Sequence, residues 1–207
     1  IELFSEVDGN FPNHHADPTK KANLADIIKA VKRHKADVGI AFDGDVDRLG
    51  GCDEKGNMLP GDRLLALFAR SILAEKPGAT ILGEVKCSRG LYEDIRKHGG
   101  NAVMWRTGHS HIKAAMKKLH AELAGEMSGH IFFKHRWYGF DDAVYAGARL
   151  LEIVAAGKQP LSAHLATIPE RPGTPEMEVN CADAKKFEVV RRATEYFQKE
   201  LKLDVVT

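Results

Sequence analysis

Val38-Gly39-Ile40-Ala41-Phe42-Asp43-Gly44-Asp45-Val46-Asp47-Arg48 is an apolar run that breaks directly into three acids and an arginine. A short apolar run of this kind reads as a buried strand. A second run, Leu49 to Asp53, follows and leads into the turn Glu54-Lys55-Gly56-Asn57. Asp43, Asp45 and Asp47 alternate with Gly44 and Val46. In an extended loop alternate side chains point the same way, so the three carboxylates can converge. Two carboxylates about 5 Å apart repel by roughly 3 kcal/mol at an effective dielectric near 20. Three at the end of a buried strand therefore need a cation between them, or protons. Hard oxygen donors select Mg²⁺, Ca²⁺ or Mn²⁺, and Arg48 can take a phosphate bidentately beside the ion. Asp43, Asp45 and Asp47 are thus the expected ligands, with Mg²⁺ in phosphoryl-transfer chemistry as the expected use.

Three other readings compete. The bland one is a solvated acidic turn, against which the apolar strand aims the loop inward. The second is a calcium loop of the EF-hand type, because Asp43, Asp45, Asp47 and Glu54 fall on its positions one, three, five and twelve. Its sixth position requires Gly and here holds Arg48, and the flanks read as strands rather than helices. The third is a haloacid-dehalogenase-type phosphatase, in which Asp43 would attack phosphorus and Asp141-Asp142 would be the later acidic pair.

Outward from this loop, short apolar runs alternate with helix-periodic segments, which is the pattern of an α/β protein. Leu24, Ile27, Ile28 and Val31 predict a helix with Asn23 as its N-cap. Leu64, Leu65, Phe68 and Ile72 predict another, Thr80 to Val85 a strand, and Leu91, Ile95 and His98 a further helix. Ala102 to Trp105 reads as a strand, His109 to Leu119 as a helix, and Ala121 to Ala124 as a short strand, with the apolar Ile131-Phe132-Phe133 after the next glycines. A periodic helix runs from Asp141 to about Ala155. Ile168 to Pro175 carries three prolines and predicts a linker. Beyond it Met177 and Val179 suggest a strand, and Phe187, Val190, Ala193 and Phe197 a helix.

The 207 residues include 30 Lys+Arg against 29 Asp+Glu, a formal charge of +1. That balance argues against a nucleic-acid surface, so any anion must be caught by a few placed cations and N–H groups. Three cysteines without CxxC spacing fit a reduced, cytoplasmic protein. No run of about 18 apolar residues is present, so no membrane helix is expected. The opening Ile1-Glu2-Leu3-Phe4-Ser5-Glu6 has no signal-peptide layout and reads like the inside of a strand. The chain is therefore expected to be a piece of something longer.

Gly125-Glu126-Met127-Ser128-Gly129-His130 places a carboxylate, a hydroxyl and an imidazole between glycines. Vicinal sugar hydroxyls need such a mix of acceptors and adaptable donors. Together with the acidic loop, this makes the sequence resemble the α-D-phosphohexomutase superfamily, specifically its bacterial phosphomannomutase/phosphoglucomutase branch. The resemblance rests on Glu6 to His15, Asp43 to Arg48, Val85-Lys86-Cys87-Ser88-Arg89, Arg106-Thr107-Gly108-His109-Ser110, Gly125 to His130, and Trp137 to Asp142. These cover nearly the whole chain, in order.

The resemblance implies mixed-sheet, three-layer α/β domains of the phosphohexomutase type. Residues 1–57 would be the C-terminal part of domain 2, 58–169 domain 3, and 170–207 a linker and the start of domain 4. It implies that a phosphoserine gives its phosphate to a hexose monophosphate, that the bisphosphate turns over in the cleft, and that its other phosphate returns to the serine. Carried over, Asp43, Asp45 and Asp47 hold Mg²⁺ and Arg48 lies beside the phosphoserine. Glu126 and Ser128 bind sugar hydroxyls, with His130 supporting them, while Lys86 and His109 act as acid/base or electrostatic residues. Each has a structural alternative: a solvated lysine at a strand end, a histidine that caps a helix. Arg89 and Arg106 are further phosphate-binding candidates, His14-His15 read as turn structure, and Trp137 to Phe140 as packing. The implied partners are mannose and glucose 1- and 6-phosphates, with no nucleic acid or membrane, in a monomer or weak oligomer.

The sequence departs from the family in three places. No Thr-x-Ser-His-Asn-Pro loop occurs in these 207 residues, and Ser110 follows the acidic loop where the family's serine precedes it. The C-terminal phosphate-clamp loop is also missing. Val46 stands where Gly is commoner, which is expected to be tolerable because that side chain points away from the ion. The chain alone is therefore expected to have no mutase turnover and to hold metal weakly.

Overall fold

The structure, a computed structural model, describes residues 1–174, 177 and 179–202. It divides into two compact units, Ile1–Arg171 and Pro172–Thr207.

In the first unit the stretch quoted above forms a β-hairpin. Strands β1 (Val38–Phe42) and β2 (Leu49–Asp53) pair antiparallel, with Val38 opposite Asp53 and Phe42 opposite Leu49. Helix α1 (Ala25–His34) packs on it, with Asp26 in its first turn and Lys32, Arg33 and His34 in its last. Both placements complement the helix dipole. Asn23 is not its N-cap. A 3₁₀ turn (Lys21–Leu24) precedes α1 and puts Leu24 at that position. The Asn23 amide instead donates to the carbonyls of His15 and Asp17, at 2.9 and 3.0 Å. Two local carbonyls outcompete the single capping bond.

The second sheet has the order β4-β3-β5-β6, built from β3 (Thr80–Glu84), β4 (Asn101–Trp105), β5 (Leu123–Gly125) and β6 (Ile131–Phe133). Strand β3 is parallel to both β4 and β5, and β6 runs antiparallel to β5. One face is covered by α2 (Gly61–Glu75), α3 (Arg89–Lys97) and α5 (Ala143–Ala156), with Leu64, Phe68, Leu91, Ile95 and Leu150 packed around Ile81. The other face is covered by α4 (His109–Leu119), whose Ile112, Ala115 and Met116 meet Leu82, Ala124 and Phe132. Adjacent β3 residues thus point to opposite faces, as the period of a strand requires. The result is the expected α/β fold with a mixed sheet between helical layers. Helix α6 (Leu161–Ala166) is fastened to the hairpin, because Glu54 accepts bonds from the Ser162 amide and hydroxyl.

Helix α3 follows β3 and α4 follows β4, and the two cover opposite faces, so the strand order reverses at the C-terminal ends of β3, β4 and β5, where a crevice is expected. Such reversals of strand order are where open α/β sheets bind ligands.

The expected strand at the N-terminus is absent: residues 1–20 contain neither strand nor helix. Neither sheet pairs with them, and an extended segment without a partner edge has no ladder to join. Met177 and Val179 are in no strand, and 175, 176 and 178 lie outside the described residues. In the second unit α7 (Lys186–Lys199) covers the expected helix. All three cysteines are free, with Cys52 and Cys87 buried and Cys181 exposed. Among the described residues no helix is long and apolar enough to cross a membrane.

Candidate active site

The hairpin loop gathers its acids as the alternation requires. Carboxylate oxygens of Asp43, Asp45 and Asp47 lie within 4.8 Å of one another. Asp43, the most buried, also organises the loop. Its Oδ1 accepts the Asp47 and Arg48 amides at 3.1 and 3.0 Å, and its Oδ2 accepts Arg48 Nε at 2.5 Å. Burial opposes its charge, but these Arg48 bonds hold its carboxyl below the usual range. Asp47 is pushed the other way, raised by burial and by the charges of Asp43, Asp45 and Asp141, against the pull of His130. Converging, mutually repelling hard oxygens are the donor set that suits Mg²⁺.

The second loop lies beside the first. Residues Arg48 and His130 form an antiparallel bridge, and the Leu49 amide donates to the Gly129 carbonyl at 2.9 Å. This close approach needs Gly129, at φ +98°, where a Cβ would meet the Leu49 carbonyl oxygen at 2.6 Å. His130 then joins the loops: its Nδ1 is 2.9 Å from Glu126 and 2.8 Å from Ser128 Oγ, and its Nε2 is 3.3 Å from Asp47. Burial disfavours the imidazolium, but Glu126 and Asp47 raise its pKa nonetheless. Glu126 is also buried, a cost its charge bears because His130 and the Gly108 amide, at 2.7 Å, hold it below the usual range.

The remaining candidates come from the β3 and β4 ends. Lys86 lies just past β3, its Nζ 4.0 Å from Glu84. His109 opens α4 but does not cap it, since Gly108 holds that position. Its Nδ1 is 3.6 Å from Asp141, and its ring stacks on His130 with centroids 6.2 Å apart. Arg106 meets His111 at 3.1 Å, and Arg89 is the first residue of α3. His14 and His15 make a local turn contact and ring contacts with Phe4 and Phe11. Trp137 stacks on Tyr145 at 4.3 Å and donates to Asp142, which itself caps α5.

The calcium-loop reading of the acidic loop fails here. Strands, not helices, flank it, and Glu54 is bound to Ser162 rather than turned toward the acids. Asp43, whose Oδ1 accepts two amides and whose Oδ2 accepts Arg48 Nε, is the anchor of the loop.

A family model described as phosphoglucomutase/phosphomannomutase, alpha/beta/alpha domain III, matches residues 60–171. The model for domain II of the same family matches residues 1–56. The chain belongs to the phosphoglucomutase/phosphomannomutase family. It is 53% identical over 190 residues to a phosphomannomutase/phosphoglucomutase of Pseudomonas putida, covering 92% of this chain and 41% of that protein. A phosphoglucomutase of Neisseria gonorrhoeae is 55% identical over 179 residues, 86% of this chain and 39% of the relative. The fold agrees with a crystal structure of a family protein from Burkholderia thailandensis: TM-score 0.80, 52% identity, 84% of this chain and 38% of that one. The chain thus spans about two fifths of the length of such relatives.

Two residues take places here that the sequence does not predict: Asp141, expected only as half of an acidic pair with Asp142, and Glu84. Asp141 faces Lys113 at 3.0 Å and, with Asp47 and His130, forms a second tight group of potential ligand atoms. Glu84, fully buried at the end of β3, accepts the Met127 amide at 2.7 Å and the Thr107 hydroxyl at 2.5 Å. Val46 adopts the left-handed region of the backbone. It sits at φ +62° and lines a cavity of 1080 Å³ behind the loop, away from Lys86, His109 and Glu126. A β-branched residue in that region carries strain of about 1–2 kcal/mol. Val46→Gly is therefore expected to leave the hairpin up to about 1 kcal/mol more stable, after the entropy cost of glycine. Urea unfolding checks this, and a clear loss of stability would count against the strain.

Proposed function

We propose that this chain carries the metal loop and the sugar-binding loop of a phosphohexomutase that interconverts hexose 1-phosphate and 6-phosphate, with mannose and glucose as the sugars. The observation that carries this reading is the Arg48–His130 bridge, which places three hard-oxygen donors against a sugar-suited loop. In this reading residues 1–57 belong to domain II, 58–169 to domain III, and 170–207 to a linker and the start of domain IV. The family-model matches over 1–56 and 60–171 support that division.

Asp43, Asp45 and Asp47 would hold Mg²⁺, which supplies charge neutralisation at phosphoryl oxygens. Arg48, fixed by Asp43, presents its remaining N–H groups beside that position. Glu126 and Ser128 accept and donate to sugar hydroxyls in either of two orientations, and His130 holds both in place. Lys86 and His109 flank the crevice as cationic or proton-transferring groups. The phosphoryl donor would be a phosphoserine, cycling through a hexose bisphosphate. The serine loop of the family does not occur in these 207 residues. A cytoplasmic monomer or weak oligomer, without nucleic-acid or membrane partners, fits the near-neutral charge.

The test is a pair of assays on the purified chain with Mg²⁺. Mannose 1-phosphate should give no mannose 6-phosphate, while glucose 1-phosphate should bind saturably and plain glucose should not. Clear turnover would refute the missing-serine account. Equal binding of plain glucose would favour a sugar-binding module instead.

A further inference from the structure

The three loops that follow β3, β4 and β5 come from separate parts of the chain, and one buried carboxylate touches all of them. Glu84 is the last residue of β3, the strand between β4 and β5. Its Oε1 accepts the Met127 amide of the sugar loop at 2.7 Å. Its Oε2 accepts the Thr107 hydroxyl of the loop leading to His109 at 2.5 Å. Lys86 Nζ, on the third loop, is 4.0 Å from Oε1. The Glu84 carbonyl is fixed in turn by the Tyr92 hydroxyl at 2.6 Å and the Cys87 amide at 3.0 Å, so the carboxylate stands on a rigid base.

A wholly buried carboxylate is expensive unless its lone pairs are used. Apolar residues would fill this place at lower cost if only packing mattered. Its bonds are charge-assisted, hence short and directional, and they end on residues adjacent to the candidate site residues. Met127 lies between Glu126 and Ser128, and Thr107 precedes Gly108, whose amide donates to Glu126.

We infer that Glu84 is a positioning residue that sets the sugar loop, the His109 loop and Lys86 in register for hexose phosphate. It holds Met127 and Thr107 at fixed points, so that Glu126, Ser128, His109 and Lys86 converge without touching the substrate itself. The inference rests on the mutase reading for its ligand, and on the three contacts alone for its geometry.

The test compares wild type, Glu84→Met and Glu84→Gln of the whole chain. Methionine keeps the length and removes both acceptors. Glutamine can accept from Met127 and donate to Thr107 Oγ1, keeping shape but losing charge. Glu84→Met should raise the Kd for glucose 1-phosphate by about tenfold or more, as displaced binding groups do. Its Mg²⁺ affinity should stay within about twofold of wild type, because Asp43 to Asp47 hang on the other sheet. Glu84→Gln should fall between the two. A purely structural role would lower the melting temperature without separating sugar-phosphate from Mg²⁺ affinity, and that result overturns the inference. Should Glu84→Met not fold, Thr107→Val, at an exposed position, removes one of the bonds and should weaken glucose 1-phosphate in the same direction; no change overturns the inference. If wild type itself does not bind glucose 1-phosphate, the mutase reading fails. The inference is then decided by amide ¹⁵N relaxation at Met127 and Gly108: loss of order in the variants supports it, and unchanged order overturns it.

Discussion

Gly129→Ala is expected to destabilise the chain by about 3 kcal/mol or more and to abolish hexose-phosphate binding. Gly129 has φ +98°, and an added Cβ would sit 2.6 Å from the Leu49 carbonyl oxygen. That oxygen belongs to β2 and cannot swing aside like a side-chain tip. The backbone conformation alone costs a non-glycine residue about 1–3 kcal/mol. Displacing Gly129 also breaks the Leu49–Gly129 backbone bond, worth about 1 kcal/mol net. In a unit of this size a loss of about 3 kcal/mol lowers the melting temperature by roughly 10 °C. Gly99→Ala is the matched control. It too has positive φ, +78°, but a Cβ there meets nothing within 4 Å. It should cost only about 1 kcal/mol and leave binding intact. Equal losses in the two variants would show that the close approach at Gly129 carries no special weight.

The second large effect separates Asp43 from its fellow acids. Removing one of three crowded carboxylates should relieve repulsion in metal-free protein, so Asp45→Ala is expected to be neutral or slightly stabilising. Asp43→Ala should go the other way and cost about 3 kcal/mol without any metal present. It strips the acceptor from the Asp47 and Arg48 amides and from Arg48 Nε. Among the described residues, the guanidinium then keeps the carboxylates of Asp17 at 3.9 Å and Asp47 at 4.0 Å. In Mg²⁺ both variants should lose the stabilisation that the ion gives wild type. Thermal unfolding in chelator and then in Mg²⁺ reads both signs. If the two variants unfold alike in chelator, Asp43 does not organise the loop.

The hairpin was legible because an apolar run ends abruptly on alternating acids, and a period of two fixes which side chains converge. Helix α4 was legible for a similar reason, apolar periodicity bounded by glycines or turn formers, whereas the three apolar residues of β6 were too few to declare a strand. Glu84 was not. A glutamate ending an apolar strand usually marks solvent, and only the pairing of β3 with both β4 and β5 buries it. The link between Lys113 and Asp141 spans 28 residues and left no local trace. Asn23 misled because a good capping residue also makes good bonds to a preceding turn, and here the turn won. The left-handed backbone at Val46 runs against its residue type, so no propensity could have found it.

The Asp43 to Arg48 loop and the Gly125 to His130 loop, joined by the Arg48–His130 bridge, form one proposed site. Its most direct test is a ¹H–¹⁵N titration of the 207-residue chain with glucose 1-phosphate in Mg²⁺. Shifts are expected at Gly108, His109 and Glu126 to His130, and with them at Arg48 and Leu49 across the bridge. Shifts confined to one loop, or to the cavity between residues 1–18 and α1, would contradict it.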